Sequence, residues 1–380
     1  MNRPGTDWLS NFPVREQCLY LDHAAVCPLP RSVAEAMRRR IADQELAGHL
    51  RDKLWVDSDL ACRHIGAELV GCRPDDISII KSTSEGLSYI AEGLTWQDGD
   101  EILVGSQEFA ANVAPWLNLS ENGVHVIRFP QHHGEVDLQA VRDRISPRTR
   151  LLAVSWVSFF SGWVAPLAEL AQLCRDHGVW FVVDAIQGLG VLPMCMESLG
   201  LDAVIADSHK WLLGPEGVGI MATSEALRHS MRPVLAGWRN IRRQPGSMFL
   251  DQLEFHRDGR RFEAGARNVA GQAGLAAALD LLTTVGQDVI QQRVEQLNRS
   301  LTRLLVRRRW RVRSPGSGHQ VAGIVAGRPP SGDADSARKA LGDRHVVCSS
   351  RQGFVRFSPH FYVTSNELAA LERIFDKCGL

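Results

Sequence analysis

The chain has 380 residues, 44% apolar and 23% charged, the proportions of a globular protein too long for a single hydrophobic core. Its 43 basic residues balance 43 acidic ones, which gives no electrostatic case for a nucleic-acid partner or an anionic membrane surface. Eight cysteines without a CxxC pair or zinc-like Cys/His spacing argue against a disulfide framework and a metal site, and fit reduced thiols. No stretch approaches the roughly 18 apolar residues of a membrane span. Met1–Asn11 contains Asp7 and lacks an apolar core, so no signal peptide is read there and a cytoplasmic protein is expected.

In chain order, short β-rich runs alternate with helical patterns between residues 77 and 221. The runs are Ile77–Ile80, Glu101–Val104, Val124–Phe129, Arg150–Val157, Trp180–Val183, Ala203–Ala206 and Gly217–Met221. Helices are predicted at Glu85–Leu94, Asn112–Glu121 and Leu167–His177. Continuous apolar strands separated by helices predict an α/β fold with a mostly parallel sheet covered on both faces. Ligands of such sheets collect at the carboxyl ends of the strands, so polar residues just after a strand carry the functional signal.

The pattern changes after about residue 285. A long helix (Val289–Arg308) leads to Arg311–Arg313, the loop Ser314–Gly318 and a strand-like Gln320–Val325. A short helix at Ala334–Leu341, strands at His345–Val347 and Phe354–Ser358, and a terminal helix from Asn366 complete the chain. The expected division is a large domain over residues 21–284, with residues 1–20 and 285–380 forming a smaller α+β domain. Arg303, Arg307, Arg308, Arg309, Arg311 and Arg313 read as the solvated face of a helix running into an edge strand.

Three strand ends stand out. Ser82 followed by Glu85 is a capping-box pattern at the turn Lys81-Ser82-Thr83-Ser84-Glu85-Gly86, a ready phosphate site at a helix start. Asp184 ends the apolar run Phe181-Val182-Val183, where a carboxylate needs a partner: an arginine, a metal or a protonated heterocycle. Lys210 in Asp207-Ser208-His209-Lys210-Trp211 is either a snorkelling surface lysine or an amine whose pKa its surroundings lower for Schiff-base chemistry. Taken singly, each has an ordinary structural explanation.

Their order along the chain resembles that of the fold-type I pyridoxal 5′-phosphate (PLP) enzymes. The chain resembles the class V aminotransferase family, which includes cysteine desulfurases, selenocysteine lyases, kynureninases and isopenicillin N epimerase-like enzymes. The similarity runs from Tyr20-Leu21-Asp22-His23-Ala24-Ala25 to Phe357-Ser358-Pro359-His360-Phe361-Tyr362, and is most specific at Ser208-His209-Lys210-Trp211 with Gly214-Pro215-Glu216-Gly217-Val218-Gly219. The resemblance implies a PLP cofactor held as an aldimine on Lys210, and Asp184 keeping the pyridine nitrogen protonated so that the ring acts as an electron sink. It also implies Gln187 on the ring's phenolic oxygen, Phe109 stacked on the ring, and Thr83, Ser84, Ser208 and His209 on the phosphate. Arg356 corresponds to the arginine that clamps the substrate α-carboxylate, and Asn112 to an asparagine near the substrate. Relatives are homodimers with a shared active site, so a dimer acting on a small amino acid is expected.

Other features read as structural. Gly214–Gly219 does not open a βαβ unit and is no dinucleotide loop. His132-His133, in a loop before Gly134, reads as solvent-facing rather than metal-binding.

The departures from the family bear on the reaction. Cys348 precedes Arg356 by only eight residues, leaving little room for the mobile cysteine loop of desulfurases. Phe109 stands where desulfurases stack a histidine, and a phenyl ring shuttles no proton. The family's glycine-threonine pair reads Gly265-Ala266, with Arg267 beside it to supply charge. The favoured expectation is a lyase that acts on a small amino acid by β-elimination of the C–S type. Alternatives are an aminotransferase, a cysteine desulfurase, an amino-acid epimerase and a PLP-binding partner protein without turnover.

Overall fold

In the computed structural model, which describes residues 8–242, 249–250, 252–313 and 322–380, the apolar runs become strands of two main sheets. Along the chain come β1 (Leu19–Tyr20), α1 (Arg31–Ala47), α2 (Asp52–Val70), β2 (Ile77–Ile80), α3 (Thr83–Gly93) and β3 (Glu101–Gly105). Then follow α4 (Ala114–Leu117), β4 (His125–Phe129), α5 (Leu138–Arg142), β5 (Thr149–Ser155), α6 (Leu167–His177), β6 (Trp180–Asp184), α7 (Met196–Leu199), β7 (Ala203–Asp207) and β8 (Gly219–Thr223). After α8 (Glu225–Ser230), α9 (Val269–Val285) and α10 (Gln287–Arg307) come β9 (Arg311–Val312), β10 (Val325–Arg328), α11 (Ala334–Gly342), β11 (Val346–Val347), β12 (Ser349–Arg351), β13 (Phe354–Phe357) and α12 (Ser365–Cys378).

The large sheet has the order β2-β8-β7-β6-β5-β3-β4. Its pairs are parallel except those of β8, which runs antiparallel to both β2 and β7. The apolar run ending at Met221 fits this central position, because a strand covered on both faces reads alike in either direction. Large apolar clusters lie on both faces, as continuous apolar strands require.

The structure corrects several sequence expectations. Helices α1, α2 and α9 leave no clear sequence signal, yet α9 packs against both others. Its composition is apolar almost all round, which hides the helical period; burial between partners explains that composition. The predicted helix Asn112–Glu121 is broken into a 3₁₀ turn, α4 and a second 3₁₀ turn, with Pro115 in the first turn of α4. The strand expected over Gln320–Val325 starts at Val325 instead, and Gln320, Val321 and the expected loop Ser314–Gly318 lie outside the described residues. The turn Leu213–Gly219 connects β7 to β8, and no nucleotide-binding helix follows it. No single helix among the described residues is long and apolar enough to cross a membrane, and α9 meets α10 at an 81° bend.

A second, four-stranded sheet has the order β12-β13-β10-β9, with β9 as the edge strand that the arginine run predicts. Of those arginines, Arg307 pairs with Glu372 and Arg308 with Asp376, both on α12. The N-terminal segment belongs with this part of the chain, since β1 pairs in parallel with β11. Phe12 stacks on Tyr362, and His23 Nδ1 lies 3.0 Å from the Ser358 carbonyl oxygen. One apolar cluster continues across both parts, from Leu152 and Val183 to Val355 and Phe375.

Gly190 shows how tightly the turn after β6 meets the turn after β7. Its φ is +97°, and a Cβ there would lie 2.4 Å from the Trp211 carbonyl oxygen. Gly190→Ala is expected to cost about 2 kcal/mol or more in urea unfolding, combining positive-φ strain with a backbone clash.

Candidate active site

The carboxyl ends of β2, β5, β6 and β7 open on a cavity of about 420 Å³. Its walls include Ser82, Thr83, Ser84, Phe109, Phe159, Asp184, Gln187, His209, Lys210, Arg351 and Arg356, with Ala24 and Ala25 closing one side. Eight of the ten residues expected at the site thus face one space, brought together from positions up to 273 apart in sequence (Thr83 to Arg356).

Asp184 is buried at the end of β6, and Ile186 N donates to its Oδ1 at 3.0 Å. Burial pushes its pKa up to about 6, against the Ile186 hydrogen bond and the charge of Lys210. Lys210, in the turn after the neighbouring β7, is pulled down to about 8 by burial, against the attraction of Asp184 and with help from Arg356. Each charge is costly here on its own and is partly compensated by the other. A protonated pyridine nitrogen is a partner that would keep the Asp184 carboxylate ionised.

Gln187 has a determined amide orientation. Its Oε1 accepts from Trp211 Nε1 at 2.8 Å, an atom that can only donate. Its Nε2 donates to the Ala24 carbonyl at 3.0 Å, an atom that can only accept. One N–H remains on Nε2, the right polarity for a phenolate oxygen. Phe109 is 47% exposed, an uncovered ring in a cavity wall, with Phe159 edge-on at 5.2 Å and Lys210 Nζ 5.7 Å from its centroid. A flat aromatic ligand fits beside it.

At the other end of the cavity α3 begins. Ser82 Oγ caps it by accepting from Glu85 N, which leaves the first-turn N–H groups of Thr83 and Ser84 without intrahelical acceptors. Thr83 Oγ1 accepts from Asp207 N at 3.1 Å and keeps its own hydrogen to donate. His209 Nδ1 is a buried nitrogen with no hydrogen bond; Asp207 Oδ2, at 3.2 Å, lies off its donor direction. These groups suit a phosphate.

Arg356, on β13, is 2% exposed and points its guanidinium at the cavity wall. Its Nη2 donates to Asp22 Oδ1 at 3.0 Å, its Nε to Ser349 Oγ at 3.1 Å and its Nη1 to the Phe159 carbonyl at 2.7 Å. A guanidinium has five N–H groups, so two remain for a carboxylate.

Two expected residues lie elsewhere. Ser208 is fully buried and donates to the Pro215 carbonyl at 2.5 Å, so its hydroxyl holds the glycine-rich turn rather than facing the cavity. Asn112, also fully buried, donates to Glu108 Oε2 at 3.2 Å and is absent from the cavity wall. Glu108 in turn accepts from Ser155 N at 3.0 Å and from the Ser155 hydroxyl. Arg267, considered as a source of charge, is ion-paired with Asp59 at 3.0 Å.

Sequence reasoning missed Phe159, Asp22, Ser349 and Arg351. Phe159 lies in the loop after β5, and because it is apolar the search for polar residues at strand ends passes over it. Arg351 requires the register of a hairpin: β12 and β13 are joined by Gln352-Gly353, at φ 52° and 74°, a tight two-residue connection. That short connection bears out the expected lack of room for a cysteine loop. Cys348 is buried, is not in the cavity wall, and burial pushes its thiol up to about 12. His132 and His133 are exposed, and no metal-binding cluster occurs among the described residues.

Comparison with known proteins places the fold and the family. The Aminotransferase class-V family profile matches residues 19–371. A probable cysteine desulfurase of Methanothermobacter thermautotrophicus is 27% identical over 95% of this chain and 94% of its own. The apo structure of a cysteine desulfurase from Thermococcus onnurineus NA1 superposes with a TM-score of 0.89 at 25% identity, covering 100% of this chain and 99% of its own. The fold is also that of the cystine C-S lyase C-DES in complex with cysteine persulfide (TM-score 0.88, 24% identity, 96% of this chain and 99% of that one).

Because Asp184 holds its proton to a higher pH when folded, the native state is favoured at low pH and loses stability as pH rises from about 4 to about 6. The cofactor-free Asp184→Asn variant is therefore expected to unfold at higher urea than wild type at pH 7.5, by about 2–3 kcal/mol, with the gap closing below about pH 4.

The chain belongs to the aminotransferase class-V family and is a PLP-dependent enzyme.

Proposed function

We propose that this enzyme is a lyase that cleaves the Cβ–S bond of a small amino acid, without a cysteine nucleophile. The observation that carries this reading is the pairing of a cavity lined by eight of the ten expected site residues with a Cys348 thiol that is buried, held protonated and outside the cavity. A desulfurase needs a thiolate that reaches the substrate sulfur, and a thiol so placed is no nucleophile.

PLP, when bound, supplies an aldehyde that captures the substrate amine and a protonated ring that withdraws electrons from its Cα. In the proposal Lys210 anchors the cofactor, Asp184 holds the proton on its ring nitrogen, and Gln187 donates to its phenolic oxygen. Thr83, Ser84 and His209 bind the phosphate, Phe109 covers one ring face, and Arg356 fixes the substrate carboxylate through its two spare N–H groups. With its pKa lowered to about 8, Lys210 has an appreciable neutral fraction near neutral pH, and its Nζ takes the Cα proton. Overall the Cβ–S bond breaks, the sulfur departs as a thiol that takes up the proton removed from Cα, and water converts the remainder to pyruvate and ammonia. Asn112 and Ser208 act only behind this shell, Asn112 through Glu108 and Ser208 through the Pro215 turn.

The finer organisation belongs to the same proposal. Two domains, residues 21–284 and residues 1–20 with 285–380, are supported by the pairing of β1 with β11. A homodimer is supported by exposed apolar side chains, among them Ile41, Leu46, Leu50, Leu60 and Trp238, more than surface scatter explains. Eight free cysteines support a reducing, cytoplasmic location.

Incubation of the holoenzyme with L-cystine or L-cysteine is expected to release pyruvate and ammonia in equal amounts; accumulation of pyridoxamine phosphate instead would establish transamination. Cys348→Ser is expected to keep turnover within about twofold of wild type, and loss of turnover with retained cofactor absorbance would restore the desulfurase reading. Arg356→Ala is expected to raise KM for the amino acid by about 10–100-fold, the worth of a charge-assisted hydrogen bond.

A further inference from the structure

We infer that Arg351 selects substrates whose side chain ends in a second acidic group, and so sets which amino acids this enzyme prefers. The inference rests on the amino-acid reading above and deepens it. Within the antiparallel β12–β13 pair, Ser349 lies directly opposite Arg356, and Arg351 opposite Phe354. Cross-strand partners share a face, and residues two apart on a strand share it too. Arg351 and Arg356 are therefore diagonal neighbours on one face, with Cβ atoms roughly 7–8 Å apart in such an arrangement. Both line the same cavity.

The two guanidinium groups differ in what they already hold. Arg356 is fixed by Asp22, Ser349 and the Phe159 carbonyl. Among the described residues Arg351 has no carboxylate partner, and its hydrogen bond goes to the carbonyl of its neighbour Ser350 at 2.8 Å. The phosphate end of the cavity has Thr83, Ser84 and His209, and the α-carboxylate has Arg356, so Arg351 is the cation left over. It is exposed where Arg356 is buried, which puts it toward the mouth, the direction in which the side chain of an amino acid held by Arg356 would extend. The ligand class is an α-amino acid with a β-sulfur and a terminal carboxylate.

The test compares S-carboxymethyl-L-cysteine with its neutral isostere S-carbamoylmethyl-L-cysteine on the holoenzyme. Wild type is expected to favour the acid by about tenfold in kcat/KM, the size of one charge-assisted hydrogen bond. Arg351→Gln is expected to erase that preference by weakening the acid alone. An equal fall for both compounds would make Arg351 a second α-carboxylate ligand and overturn the inference, as would an unchanged preference. Equilibrium binding of the same pair to the holoenzyme, read by tryptophan fluorescence, separates this from the chemistry. Binding that favours the acid through Arg351 without pyruvate release keeps the inference and overturns the lyase reading. Pyruvate release from both compounds without any preference keeps the lyase and overturns the inference.

Discussion

The site depends on a carboxylate and an amine that share one low-dielectric cavity from the ends of neighbouring strands. Asp184 ends β6, and Lys210 lies three residues beyond the end of β7, which pairs with it in parallel. Burial opposes each charge, and each offsets part of the other's cost. Such a pair is a poor choice for stability alone, since apolar residues of similar size would do as well or better. It makes sense where a ligand completes it, a cation beside the carboxylate and a carbonyl beside the amine. The strand register sets the spacing, so the rest of the molecule serves to keep β6 and β7 apolar, parallel and rigid.

The surroundings of that pair come from distant parts of the chain. Ala24 receives the Gln187 amide, Cys27 N donates to the His209 carbonyl, and Asp22 holds Arg356. The same N-terminal stretch is held to the C-terminal sheet by the contact of His23 with the Ser358 carbonyl and of His23 Nε2 with Tyr362 OH at 2.8 Å. His23 and His360 are both fully buried and stay neutral, because burial lowers their pKa values. A neutral histidine with both nitrogens engaged is a fixed strut, and here it sets the position of the substrate-side wall relative to the cofactor side.

What this chain's cavity omits bears on its chemistry. The cysteine desulfurase from Thermococcus onnurineus NA1 shares the fold along its whole length. In this chain β12 and β13 are joined by two residues, the phenyl ring of Phe109 lines the cavity, and two arginines share one face of that hairpin. The cavity wall is thus lined by cationic and aromatic side chains, and Cys348 lies outside it.

Much of this was legible in the residues themselves. Strand ends at Ile80, Asp184 and Asp207 could be read because buried parallel strands are continuous apolar runs, so a polar residue marks where the run stops. The resemblance to class V enzymes then gave roles to Lys210, Asp184, Gln187 and Arg356, all of which line the cavity. Helices such as α9 stayed hidden because a helix buried nearly all round loses its polar face and with it the period. Ser208 and Asn112 sit next to cavity residues in sequence but face away, and which way a side chain turns at a strand-end loop depends on the turn it packs against. Arg351 reached the cavity only through a hairpin register. Chain order alone therefore determined which residues could do the chemistry, while cross-strand pairing decided which of them meet, since only three-dimensional packing turns a position in a list into a direction in space.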